Sequence, residues 1–163
     1  MKHYPPRSAR PRRPSITIPP FHAVPLRHRA DGWTPVRQAE FIAHLAATRS
    51  VAAAARGVSM ARETAYRLRA RPGAQGFAAA WDVALGSVRS EAGRARLEAA
   101  LAAARAARQA DRKVTIPELE WRVATGLWQV MLRGGRYVGV VRKPDETALL
   151  ALLSRTRAAA GRA

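Results

Sequence analysis

Apolar residues recur at helical spacing early in the chain. Phe41 and Leu45 are four residues apart, so they share one face of a helix. Thr34 can accept a hydrogen bond at the N-terminus of that helix, and Pro35 suits its first position because the missing N–H would have no partner there. The pattern predicts a first helix over residues 35–48.

Two shorter helices are predicted directly after the first one. Small residues dominate 51–56, the segment Gly57–Met60 interrupts the pattern, and a further helical segment over 61–71 must end at Pro72. With the first helix they form a predicted three-helix domain, residues 31–72. The small and apolar side chains expected to fix the crossing of the two short helices are Ala55, Val58, Met60, Ala65 and Leu68.

One long connecting helix is predicted over residues 73–113. Larger apolar side chains follow one another there at spacings of four, four and three residues, namely Phe77, Trp81, Leu85 and Val88. We expect the first half of the helix to pack on the preceding helices, with Phe77 and Trp81 in the core. The second half is rich in Ala and Arg, and it is expected to be a linker or a surface for self-association.

A β-hairpin is predicted around Gly134 and Gly135. The runs on either side are rich in β-branched and aromatic residues, and the two glycines supply the positive φ angles that a two-residue turn requires. A symmetrical register about this turn pairs Arg133 with Arg136, Leu132 with Tyr137, and Trp128 with Val141.

A final helix is predicted after the hairpin, with Asp145 and Glu146 in its first turn, where negative charge is favoured. Its apolar face would consist of Leu149, Leu150, Leu152 and Leu153. Because an isolated hairpin is marginal in water, we expect this face to cover it within a C-terminal unit over residues 114–163. The predicted fold is therefore mainly α, with a three-helix domain, a long connecting helix, and a small C-terminal β-hairpin plus helix.

The composition is strongly basic. Of 163 residues, 29 are Lys or Arg and 11 are Asp or Glu, so the formal net charge is +18. This excess is larger than solubility requires, and it indicates an anionic polymer as the partner. Cysteine is absent, which excludes a disulfide, a catalytic thiolate and a cysteine-ligated zinc site. We expect no metal, no cofactor, no catalytic residue, no signal peptide and no membrane span.

The stretch "AARGVSMARETAYRLR", residues 54–69, resembles the helix-turn-helix family of bacterial and phage DNA-binding proteins. The resemblance extends from Thr34 to Arg71. It departs from the family at Ser59, which occupies the turn position where the family usually has glycine. The chain as a whole is similar to small helix-turn-helix proteins of alphaproteobacteria and, more loosely, to the N-terminal domain of phage terminase small subunits.

This resemblance implies that the second helix of the pair enters the major groove of duplex DNA. Its outward side chains would contact base edges, where arginine suits guanine and glutamate suits cytosine. The implied base-reading residues are Arg62, Glu63, Tyr66 and Arg67. Other side chains would contact phosphates and position the protein without specifying sequence, namely Ser59, Thr64, Arg69 and Arg71.

Residues 1–30 are predicted to be a disordered basic arm, because the segment is rich in proline and contains no acidic residue. Its candidate contacts with nucleic acid are Arg10, Arg12 and Arg13. They would either enter a minor groove or attract phosphates without sequence preference.

These features favour sequence-specific binding of double-stranded DNA, with regulation of transcription as the expected role and a cytoplasmic, nucleoid-associated location. Since one recognition helix covers only a few base pairs, we expect a homodimer or a higher oligomer. One alternative is an adaptor in phage-type DNA packaging or assembly, similar to a terminase small subunit. Another is a nonspecific nucleoid or RNA binder. A recombinase or transposase would need a catalytic domain for which little length remains, so we expect no enzymatic activity.

Overall fold

The computed structural model describes residues 17–27, 29, 31–86, 91–109 and 114–161. Within these ranges the protein is mainly helical, with seven α-helices and one three-stranded antiparallel sheet in the order β1-β2-β3. The elements in chain order are β1 (Phe21–His22), α1 (Pro35–Thr48), α2 (Val51–Gly57), α3 (Arg62–Arg69), α4 (Gln75–Leu85), α5 (Glu91–Gln109), α6 (Ile116–Thr125), β2 (Leu127–Arg133), β3 (Arg136–Lys143) and α7 (Glu146–Ala160).

Helix α1 begins and ends where the sequence predicts. Thr34 Oγ1 accepts a hydrogen bond from the Arg37 amide at 3.3 Å, and Pro35 occupies the first helical position. Arg49 caps the C-terminus of the helix, since it has a left-handed φ of 59° and its amide donates to the Leu45 carbonyl at 2.8 Å. Helices α2 and α4 and both strands of the hairpin pack against α1, which makes it the central element of the fold.

Aromatic side chains from α1 and α4 form the centre of the core. Phe41, Phe77 and Trp81 are all fully buried. The ring of Phe41 lies 4.9 Å from that of Trp81 and 6.0 Å from that of Phe77, between ring centroids. The prediction that Phe77 and Trp81 belong to the core is therefore confirmed.

The end of the predicted arm is part of the core. Ile18, Phe21 and Val24 are at most 3% exposed, and Phe21 pairs with Trp128 in the antiparallel β1–β2 ladder. The prediction of disorder is therefore wrong for residues 17–27. The physical reason is that the apolar residues among the prolines bury in the main core, while the extended backbone finds hydrogen-bond partners in β2 and in the Gln38 side chain. Arg10, Arg12 and Arg13 lie outside the described residues.

The side chain of Gln38 satisfies the backbone on both sides of the β1–α1 segment, which is defined here as residues 23–34. Gln38 is fully buried, and its Oε1 accepts a hydrogen bond from the Val24 amide at 2.7 Å. Its Nε2 donates to the Val24 carbonyl at 3.2 Å and to the Trp33 carbonyl at 3.1 Å. One amide side chain therefore holds the beginning and the end of this segment against α1.

The predicted long helix over 73–113 is wrong, because the chain breaks at Gly86 into α4 and α5, and α5 packs against α4. Gly86 has a ψ of 151°, which is extended rather than helical. A Cβ atom there would lie 2.8 Å from Leu97 Cδ1 of α5 and 3.1 Å from the Val83 carbonyl oxygen, so the close approach of the two helices leaves little room for a side chain at this position. The Arg49 guanidinium donates a hydrogen bond to the Gly86 carbonyl, which α4 leaves without a helical partner. Val88 lies outside the described residues.

The hairpin has the predicted turn, with Gly134 at φ 58° and Gly135 at φ 75°. A β-bulge between Met131 and Leu132 displaces the register beyond it, so Trp128 pairs with Arg142 rather than with Val141. The bulge adds one residue to one strand, which a symmetrical count from the turn does not anticipate. The pairs nearest the turn are confirmed, namely Arg133 with Arg136 and Leu132 with Tyr137.

The hairpin packs on α1, and Trp128 and Val130 join the main core. Its inner face is thus covered by α1 instead of by the C-terminal helix. Helix α7 packs on α6, a helix that the apolar pattern did not predict, and the two share a small cluster around Leu119 and Ala148. The expected leucine face is largely exposed, at 42% for Leu149, 68% for Leu150 and 52% for Leu153.

Candidate functional site

The connection between α2 and α3 is a tight turn fixed by backbone hydrogen bonds. The Ser59 amide donates to the Arg56 carbonyl at 3.1 Å, and the Met60 amide donates to the Ala55 carbonyl at 2.9 Å. This pair of bonds is the Schellman arrangement, in which the first residue beyond the helix cap is left-handed. Ser59 occupies that position with a φ of 57°. Ser59 therefore adopts the left-handed conformation that the turn requires, although glycine would adopt it more readily.

Helix α3 is held by two buried side chains and by polar contacts on both of its flanks. Ala65 and Leu68 face the core, at 0% and 2% exposure. On one flank, Trp33 Nε1–H donates to Thr64 Oγ1 at 3.1 Å, and the Thr64 hydroxyl donates to the Ala61 carbonyl at 2.7 Å. Thr64, predicted as a phosphate contact, has its hydroxyl engaged within the protein and serves to attach α3 to the β1–α1 segment.

The opposite flank of α3 faces α4. Arg69 Nη2 lies 2.6 Å from Asp82 Oδ1, and the Arg69 guanidinium stands 5.4 Å from the centre of the Trp81 ring. The Tyr66 ring also contacts Trp81, with 5.4 Å between centroids. The positive charge of Arg69 is therefore offset by a carboxylate. Arg69 is thus less suited to contact a phosphate than the sequence analysis predicts.

The outward face of α3 carries the four predicted base-reading residues. Successive helical residues are about 100° apart, so the face opposite Ala65 and Leu68 is centred near Glu63. Tyr66 is 48% exposed, and the side chains of Arg62 and Glu63 are 58% and 61% exposed. Arg67 is also exposed, as are Ser59 and Arg71 of the predicted phosphate contacts. All four predicted readers are thus accessible to a ligand.

Glu63 is negatively charged at neutral pH. The hydrogen bond from its own backbone amide is the main reason that its pKa lies below the ordinary value, and the Arg62 guanidinium at 3.3 Å acts in the same direction. Desolvation, the second-largest effect, raises the pKa but does not cancel this decrease. The centre of the outward face is therefore a hydrogen-bond acceptor flanked by arginine donors.

An open groove of about 410 Å³ runs between α3 and the β1–α1 segment. Its floor is apolar or aromatic, and arginines stand on both sides of it. The lining residues are Leu26, Arg27, Arg29, Gly32, Trp33, Thr64, Arg67, Leu68 and Arg71. Among the described residues, Asp31 is the carboxylate in ion-pair range of these arginines, 3.7 Å from Arg29, and both partners are more than three-quarters exposed. The groove therefore keeps a positive potential.

Arg27 and Arg29 were not predicted as site residues, because they fall inside the segment interpreted as a disordered arm. Their only signal in the sequence is the basic charge next to Trp33. Their position opposite Arg67 and Arg71 depends on the burial of Val24 and on the contacts of Gln38, which no local pattern reveals.

Within the described ranges, no cluster of His, Asp and Glu side chains is arranged to hold a metal ion. In the same ranges, no helix is long and apolar enough to cross a membrane. Comparison of the chain with protein-family models, with curated proteins and with solved structures finds no match.

Proposed function

We propose that the protein binds double-stranded DNA in a sequence-specific manner, with α2 and α3 acting as a helix-turn-helix and α3 entering the major groove. The observation that carries this proposal is the outward face of α3, where Arg62, Glu63, Tyr66 and Arg67 are all exposed on a helix that its neighbours hold firmly. A recognition helix must protrude in this way while a second helix supports it against the DNA backbone.

The side chains on this face have the chemistry of base readers. An arginine can donate two hydrogen bonds to O6 and N7 of guanine, and an ionised glutamate can accept one from N4 of cytosine. The contact between Arg62 and Glu63 is exposed to solvent and screened, so it opposes the exchange of partners on binding only weakly. We therefore expect a preference for sites that contain G·C pairs.

The net charge of +18 supports a polyanionic partner and a strong dependence of affinity on salt. We propose regulation of transcription as the biological role, with two or more copies bound together, because a single α3 covers only a few base pairs. The exposed leucines of α7, Leu149, Leu150 and Leu153, supply an apolar surface that is available for self-association.

The test is selection of bound sequences from random duplex DNA at about 150 mM salt, a concentration at which nonspecific attraction is weakened. A consensus should emerge, and Arg62→Ala or Arg67→Ala should reduce affinity for it by ~1 to 3 kcal/mol and flatten the base preference. Arg94→Ala, an exposed arginine on α5, is the matched control for the loss of one charge. Equal weakening on every sequence would assign these side chains to phosphates, and failure to select any sequence would leave nonspecific binding.

A further inference from the structure

The groove between α3 and the β1–α1 segment has the chemistry of a phosphodiester site. We propose that it binds the sugar–phosphate backbone of one DNA strand, with Arg27 and Arg29 on one side of that strand and Arg71 on the other, next to the base-reading Arg67. This inference rests on the proposed function, and it assigns a second contact surface that lies outside the helix pair.

The lining of the groove matches the alternating chemistry of a nucleic-acid strand. Leu26 and Trp33 provide half-buried apolar surface against which sugar rings can pack, and the guanidinium groups that also line the groove can donate paired hydrogen bonds to phosphate oxygens. The weak, exposed contact of Arg29 with Asp31 leaves that guanidinium available for exchange to a stronger anion.

The two flanks of α3 differ in charge, and this difference favours the backbone over a small ligand. A helix in the major groove has a phosphate strand on each side of it. On the α4 flank, Asp82 neutralises Arg69, whereas the flank that carries Arg67 and Arg71 is met by two further arginines. A duplex docked on α3 would therefore place one of its strands along the positive groove.

The β1–α1 segment is held in position before any ligand arrives. Gln38 binds the backbone of Val24 and Trp33, and the Trp33 indole donates to Thr64 of α3. Arg27 and Arg29 are therefore carried by a segment attached at both ends, which lowers the entropy that binding must remove.

The test compares the salt dependence of duplex binding for wild-type protein and for Arg27→Ala/Arg29→Ala in the full chain. Each lost phosphate contact should reduce the slope of log K against log salt by about 0.9, so the double variant should lose about 1.8. If the two proteins bind duplex equally near 1 M salt, this difference in slope means that the double variant binds about thirtyfold more weakly at 0.15 M. The loss should be the same on selected and scrambled duplexes, because phosphates carry no sequence information.

The matched control is Arg94→Ala/Arg96→Ala, which removes the same charge from exposed positions on α5 and should change the slope by less than half as much. Arg27→Gln/Arg29→Gln repeats the measurement if the alanine variant melts at a lower temperature. A slope equal to that of the control, with Arg62→Ala still altering base preference, would overturn the inference and leave the proposed function intact. ATP serves as a free-phosphate probe: binding of ATP without binding of duplex would refute both proposals, as would binding of neither.

Discussion

Replacing Gln38 by leucine should destabilise the protein by about 3 kcal/mol and release the segment that carries Arg27 and Arg29. The side chain is fully buried, and it makes three hydrogen bonds to the backbone of Val24 and Trp33. Leucine has a similar volume, so the change removes the hydrogen bonds without opening a large cavity.

The size of this loss in stability follows from the backbone groups that lose their hydrogen bonds to Gln38. Leucine leaves the buried amide and carbonyl of Val24 without these partners, and each such group costs roughly 1 to 3 kcal/mol. The Trp33 carbonyl is only partly buried, so its loss costs less. Part of this loss is recovered because leucine favours the apolar surroundings and because the freed segment can move toward water. A net loss of about 3 kcal/mol is a large share of the ~5 to 15 kcal/mol by which domains are usually stable.

The measurement is urea denaturation at pH 7, followed by far-UV circular dichroism for wild type and Gln38→Leu. The variant should unfold at a lower midpoint with a similar dependence on urea. It should also show a reduced salt slope for duplex binding, because the segment bearing Arg27 and Arg29 is no longer held. A loss below about 1 kcal/mol would refute the assignment of Gln38 as the attachment of this segment.

Replacing Gln38 by glutamate should make the stability of the protein depend on pH, in a direction that the structure defines. The substitution keeps the shape but points a carboxyl oxygen at the carbonyls of Val24 and Trp33, and burial raises the pKa of that carboxyl in the folded state. Below the unfolded pKa of about 4.3, both states are protonated and the acid can still donate one hydrogen bond. As the pH rises above that value the unfolded state ionises first, so the stability of the variant relative to wild type should fall toward pH 7. A difference in stability that does not change with pH would contradict this geometry.

Ser59 and Gly126 both have a positive φ, so substitutions at these residues test the backbone conformation. Ser59→Gly should stabilise the protein by about 0.5 kcal/mol in urea denaturation, because glycine relieves the left-handed residue of the α2–α3 turn but loses more entropy on folding; a destabilised variant would contradict the turn geometry. Gly126→Ala should destabilise the protein by more than about 2 kcal/mol, because φ is 70° with ψ at −172° and a Cβ atom would lie 2.5 Å from the Lys143 carbonyl oxygen. Gly134→Ala is its control, since that glycine has a φ of 58° with nothing within 4 Å of the added atom, and the loss should be about 1 kcal/mol; equal losses would exclude the close contact at Gly126.

The elements of the candidate site could be predicted because their signals are local. Thr34 and Pro35 mark the start of α1, and the interruption at residues 57–60 separates α2 from α3. The exposure of Arg62 and Tyr66 also follows from helical spacing, since Ala65 is the small residue that faces inward. These features depend on neighbours within a few residues, which a sequence displays directly.

The partners of those residues could not be predicted from spacing. Arg69 was expected to be free for phosphate, but Asp82 from the next helix pairs with it. Thr64 was expected to be free as well, but Trp33 binds its hydroxyl across 31 positions of the chain. Helical spacing predicts the direction in which a side chain points, but it does not predict which residue of another element that side chain contacts.

The sequence by itself determined the basic charge, the mainly helical fold, the hairpin turn at Gly134–Gly135 and the helices around the candidate recognition face, because capping, periodicity and turn chemistry act over short distances. Only the tertiary structure decided that Ile18, Phe21 and Val24 enter the core, that α4 and α5 separate at Gly86, and that a cationic groove forms beside α3. Each of these depends on groups distant in sequence burying surface or exchanging hydrogen bonds together. These contacts contribute to stability only once the whole chain has folded.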